Sequence, residues 1–76
     1  YDSKTILQEI VQGKMEQTIN YQLLKEEGPD HNKQFQVGVF IGDVQYGTGN
    51  GRTKKAAEQD AAYQAILKIK GGDTCI

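Results

Sequence analysis

Gly47-Thr48-Gly49-Asn50-Gly51-Arg52-Thr53-Lys54-Lys55-Ala56 is the stretch on which the reading of this chain turns. A run of spaced glycines leads into a short basic segment, and from Thr53 onward the residues suit the start of a helix. Positive charge at a helix N-terminus lies where unpaired backbone N–H groups already favour anions. The stretch therefore predicts a phosphate site. Whether the phosphate belongs to a nucleotide or to a nucleic-acid backbone depends on what surrounds it.

Downstream, Ala57, Ala61, Ala62, Ala65, Ile66 and Ile69 fall on one stripe of a helix predicted over residues 53–69, with Gly71-Gly72 stopping it. The alanines suit a helix lying close on a sheet, because they permit near approach at little side-chain entropy cost. Upstream, residues 44–48 read as a strand that pairs back on residues 35–41 through a tight Gly42-Asp43 turn. Phe35, Val37, Val39 and Ile41 share one face of that second strand. Before it, Gly28-Pro29 opens a polar loop, residues 29–33, and residues 19–25 alternate as a first strand. The chain begins with a helix predicted over residues 4–12, capped by Asp2 or Ser3 and ended by Gly13. Its apolar stripe is Ile6, Leu7, Ile10 and Val11; at about 100° per residue, Thr5, Gln8, Glu9 and Gln12 occupy the opposite face.

The predicted fold class is α+β, in the order α-β-β-β-α. A three-stranded antiparallel sheet carries both helices on one face and turns the other, with Gln36, Gly38 and Gln45, toward water. Residues 1–70 form one domain and residues 71–76 a flexible tail.

Composition narrows the function. The chain has 76 residues, nine Lys or Arg against ten Asp or Glu, and a net charge of −1. A sequence pI near 5.7 is unlike the usual basic footprint of a nucleic-acid binder. Screening limits surface charges to roughly 8–10 Å, however, so local potential matters more than the average. Glu26, Glu27 and Asp30 crowd one region while Arg52, Lys54 and Lys55 hold another. The single Cys75 excludes an intramolecular disulfide framework, and with one histidine it excludes ordinary zinc spacing. No stretch has the length and apolarity to span a membrane, and no basic-then-apolar leader is present, so a cytoplasmic location is expected. No Ser-His-acid set, metal-binding carboxylate pair or Cys-His pair is present, so this segment is not expected to be an enzyme by itself. A nucleotide-hydrolase phosphate loop needs G-x-x-x-x-G-K-[ST] between a parallel strand and a helix. Arg52-Thr53 follows the last glycine here, the intervals differ, and no βαβ unit exists.

Three patches remain to be joined. The first helix offers neutral amides, a hydroxyl and one carboxylate, groups matched to ribose hydroxyls and base edges. The Pro29-Asp30-His31 loop is a stiffened projection with a ring at its tip. The start of the last helix offers cations. Double-stranded RNA has a shallow minor groove lined with 2′-hydroxyls and a deep major groove flanked by phosphates, so a protein lying along it needs two polar patches with a basic one between.

The same residues carry a resemblance. Thr5-x-x-Gln8-Glu9, Gly28-Pro29-x-His31 and Gly49-x-Gly51-x-Thr53-Lys54-Lys55-x-Ala57-Glu58-x-x-Ala61-Ala62 resemble the double-stranded RNA-binding domain over about residues 3–69. The wording Lys4-Thr5-x-Leu7-Gln8-Glu9-x-x-Gln12, and Glu58 where many members have a cation, are most similar to the C-terminal domain of bacterial ribonuclease III. The resemblance implies that Thr5, Gln8, Glu9 and Gln12 lie in one minor groove and Pro29 and His31 in the next. It implies that Thr53, Lys54 and Lys55 bridge the phosphates of the major groove between them, with Arg52 beside them. Glu58 implies a weaker electrostatic component than in more basic members. The resemblance further implies a separate magnesium-dependent catalytic domain in the parent, which cleaves duplex RNA as a homodimer. The binding domain itself needs no cofactor and is expected to be monomeric. The competing reading is a domain of this fold that docks proteins or dimerises, motivated by the acidic pI and Glu58.

Overall fold

The computed structural model describes residues 2–14 and 16–73. The elements are α1 (Ser3–Lys14), β1 (Ile19–Glu27), β2 (Gln34–Ile41), β3 (Val44–Gly51) and α2 (Lys54–Asp73). The strands pair antiparallel in the order β1-β2-β3, so the expected meander is the observed one. Val37, Val39 and Ile41 point from β2 into the core, where they meet Leu7 and Val11 of α1 and Ala57, Ala61, Ala62, Ala65 and Ile66 of α2. Phe35 and Ile69 pack against this cluster while staying partly exposed. At Gly42 the backbone takes φ 62° and no other residue of the turn does, which is the two-residue hairpin that a Gly-X pair favours.

The alternating glycines have a structural task that their sequence context hides. β3 extends to Gly51, so Gly47, Gly49 and Gly51 all lie within a strand and face α2. A Cβ on Gly47 would sit 2.9 Å from the Ala61 carbonyl oxygen and 2.9 Å from the Ala65 amide nitrogen. One on Gly51 would be 2.7 Å from the Ala57 amide nitrogen, and one on Gly49 would overlap the Ala61 amide and the Ala57 carbonyl. The helix backbone thus rests directly on the strand backbone. The run is a packing surface that delivers α2 to its position, not a flexible phosphate loop.

Other boundaries differ from expectation for simple reasons. Gly13 does not end α1; it sits inside the helix with open space where a side chain would be. Gly71 and Gly72 do not stop α2, which runs on to Asp73. Glycine in a helix costs only about 1 kcal/mol against alanine, so a glycine stops a helix only where the backbone turns left-handed. The flexible tail expected over 71–76 falls, for residues 74–76, outside the described residues. The outer sheet face is also less wet than expected. Gly38 is buried there beneath Leu24, Phe40 and Gln45, with Leu24 at the register shift between Leu23 and Lys25.

Candidate nucleic-acid interface

The site begins at the N-terminus of α2. Thr53 caps the helix: its Oγ1 accepts from the Ala56 amide at 3.0 Å and its carbonyl accepts from the Ala57 amide at 3.0 Å. Lys54 and Lys55 are then the first two helical residues, with no acid in the first turn to neutralise them. Both are exposed, as are Arg52 and Thr53. Among the described residues no carboxylate lies within ion-pair distance of Arg52, Lys54 or Lys55. The capped helix end and three free cations form a single positive locus in an acidic protein.

Consecutive helical residues diverge by about 100°, so the two lysines serve different clefts. Lys54 opens with Arg52 and Thr53 onto a cleft shared with His31 and Asn32 of the β1–β2 loop, with Phe35 in its lining. Lys55 opens onto a second cleft shared with Thr5, Gln8 and Glu9 of α1. The structure therefore sets the loop beside Lys54 and the polar face of α1 beside Lys55, at neighbouring residues of the basic helix start. Gln12 is exposed on the same helix but outside this cleft, one turn beyond Gln8. Pro29 is exposed in the loop and does not line the first cleft; its carbonyl accepts from the Asn32 amide at 2.9 Å.

The loop is held from behind. Gly28 has φ 94°, and a Cβ there would overlap the Asn32 carbonyl, so only glycine lets the strand turn into the loop. Lys33 donates to Glu26 and lies 4.0 Å from Asp30. That bond, with the Lys33 charge and a smaller contribution from Lys54, holds the Glu26 carboxyl below its ordinary pKa. Of the acids that crowd this region in the sequence, Glu26 pairs with Lys33 and Glu27 with Lys25, while Asp30 lines the cleft beside Arg52 and Lys54. Glu58 is likewise answered. Its carboxylate binds Lys4 Nζ at 2.7 Å, and that ammonium also lies 4.9 Å from the centre of the Tyr21 ring.

Sequence reasoning named Asp2 as a possible cap of α1 but missed its bond to Gln59, and missed the bond by which Lys33 holds Glu26. Asp2 is the α1 cap, accepting from the Lys4 and Thr5 amides at 3.1 and 3.3 Å and from Thr5 Oγ1 at 2.8 Å. Gln59 Nε2 donates to the same carboxylate at 2.8 Å. The Gln59 bond, followed by those from Thr5, lowers the Asp2 pKa from 3.8 to about 2. Because the folded value is the lower one, the stabilisation is complete above pH 3.8 and is lost as pH falls through about 2. Amide-exchange protection at Lys4 and Thr5 should fall over that window while protection in β2 holds, and Asp2→Asn should remove the pH dependence.

A helix with a polar outer face, a projecting loop and a capped basic helix start bordering both, on a three-stranded antiparallel sheet, define a nucleic-acid-binding domain of α-β-β-β-α architecture. The family described as the double-stranded RNA binding motif matches residues 3–69, and the chain belongs to that family. Among curated proteins it is 51% identical over 69 residues to Ribonuclease 3 of Helicobacter pylori strain ATCC 700392 / 26695, covering 91% of this chain and 29% of the relative. It is 54% identical over 69 residues to Ribonuclease 3 of Latilactobacillus sakei subsp. sakei strain 23K, with 91% and 30% covered. The chain thus spans about three-tenths of the length of these relatives. Among solved structures it is similar to the first dsRBD of protein HYL1, with a TM-score of 0.68 and 35% identity over 87% of this chain and 93% of that one. DRB4 dsRBD2 gives 0.66 and 32%, over 95% of this chain and 100% of the other.

Proposed function

We infer that this domain binds double-stranded RNA by the shape of its A-form helix, largely without regard to sequence. The supporting observation is the split of the lysine doublet: Lys55 shares a cleft with Thr5, Gln8 and Glu9, and Lys54 shares one with His31. Polar groups then flank a basic locus on both sides, which is the order minor groove, phosphates, minor groove along about 16 base pairs of duplex RNA. In this reading Thr5, Gln8, Glu9 and Gln12 contact 2′-hydroxyls and base edges in one minor groove. The loop bearing Pro29 and His31 enters the next. Arg52, Thr53, Lys54 and Lys55, with the helix N-terminus, hold phosphates across the major groove between.

The parent protein in this proposal is a ribonuclease III that cleaves and processes double-stranded RNA in the cytoplasm, and this domain is its substrate-binding module. The likeness to Ribonuclease 3 of two bacteria over most of this chain supports it. Cleavage would belong to a separate catalytic domain that uses magnesium and forms the homodimer, the binding domain being a cofactor-free monomer. The salt bridge between Glu58 and Lys4 moderates the cost that a bare glutamate would impose on phosphate binding. It leaves Arg52, Lys54 and Lys55 to carry the electrostatic part.

Competition gel shifts test the binding directly. Labelled RNA duplex should be displaced by unlabelled RNA duplex of any sequence and poorly by DNA of equal length. Equal competition by DNA contradicts the proposal. Gln8→Ala and Glu9→Ala should narrow the gap by weakening RNA binding about three- to ten-fold, about one hydrogen bond's worth each, while DNA binding changes little.

A further inference from the structure

Gln59 joins the two helices that carry the interface. Its Oε1 accepts from the backbone amide of Ser3 at 2.9 Å and, more distantly, from that of Lys4 at 3.4 Å. Its Nε2 donates to Asp2 Oδ1 at 2.8 Å. The same carboxylate system holds the amide and hydroxyl of Thr5. Gln59 stands one turn after Lys55 on α2 and lines the cleft that Lys55 shares with Thr5, Gln8 and Glu9. Beside it, Glu58 ties Lys4 to α2.

Elsewhere along α1 the helices meet through Leu7 and Val11, whose apolar contacts are non-directional. Such contacts hold α1 against the core but set its rotation and axial offset only loosely. Hydrogen bonds are directional, and those of Gln59 act on the turn that bears Thr5. They fix the distance from the α1 polar face to Lys55.

We propose that Gln59 is a positioning residue for duplex discrimination: by locking the first turn of α1 to α2, it sets the span between the minor-groove face and the phosphate-binding lysine to that of A-form RNA. The proposal rests on the duplex-RNA reading above. Gln59 acts through Asp2 and Thr5 and supplies no charge. Its loss should therefore alter which duplex is preferred without altering how binding depends on salt.

The experiment measures the ratio of RNA to DNA affinity, the salt slope and the melting temperature for wild type and Gln59→Ala. The ratio should fall about five-fold, the effect of one well-made hydrogen bond, with the salt slope unchanged. Ile69→Val, which loosens the far end of α2, should leave the ratio unaltered at a comparable loss of melting temperature. An unchanged ratio in Gln59→Ala, with wild type still preferring RNA, overturns this inference alone. An equal fall in Ile69→Val also overturns it, since general softening then accounts for the effect. A wild-type domain that does not prefer RNA overturns the duplex-RNA reading and this inference together.

Discussion

Replacing Lys54 and Lys55 together by alanine should weaken binding to every RNA duplex about a hundred-fold, which is two charge-assisted contacts at about 1.5 kcal/mol each. The loss should be uniform across sequences, because phosphate contacts carry no sequence information. The slope of log affinity against log salt should become shallower by about two units, one per lysine. The fold should be untouched. Both side chains are exposed, neither lies in an ion pair among the described residues, and alanine is the better helix former. A melting temperature equal to or above wild type, beside a collapsed affinity, would separate this effect from unfolding. A double variant that binds as before would remove the electrostatic centre of the account.

Gly49→Ala should have the largest effect on stability. The added methyl would overlap the Ala61 amide and the Ala57 carbonyl, both backbone groups inside α2. No rotamer change can make room, so the helix must lift from the sheet and open the contacts of Ala57, Ala61 and Ala65. Overpacking of this kind costs about 3 kcal/mol, a large share of the roughly 5–15 kcal/mol that holds a domain together. For a chain of this size that is a fall of about 15 °C in melting temperature. Gly13→Ala is the internal comparison. Nothing lies within 4 Å of its added methyl, and the residue is helical, so it should stabilise by about 0.5–1 kcal/mol. Thermal melts of the two variants, run side by side, separate glycine chosen for space from glycine merely tolerated.

That contrast also marks where the sequence was legible. Element order, strand pairing and the core stripes followed from periodicity alone: Val37, Val39 and Ile41 at period two, Ala57, Ala61 and Ala65 at helical spacing. The three patches could be named because polar faces and basic runs are local features. What periodicity left open was the reason for each glycine. Gly47, Gly49 and Gly51 alternate as strand residues do, yet small size and conformational freedom look alike until the partner surface is in view. The alanine stripe was that partner, present in the sequence but separated from the strand by the helix start.

The bond between Gln59 and Asp2 was missed for a different reason. Their bond joins residues 57 apart, and no repeating pattern announces a contact between two single side chains. Lys33 entered the sequence reading only as the end of a polar loop, although its bond to Glu26 answers one of the acids beside the interface. The same holds for Glu58, whose meaning changes once Lys4 is found 2.7 Å away. Charge read along the sequence counted an acid beside the lysine doublet. Charge read in space finds that acid already satisfied, which is how a domain of net charge −1 presents a positive tract to a polyanion.

The central claim is spatial, and a titration of the isotopically labelled domain with an RNA duplex longer than about 16 base pairs tests it most directly by NMR. Amide signals of Thr5, Gln8, Glu9, His31, Lys54 and Lys55 should move together with one dissociation constant, while those of Leu24 and Phe40 on the outer sheet face stay still. Movement confined to a single patch, or centred on the outer sheet face, would contradict the account.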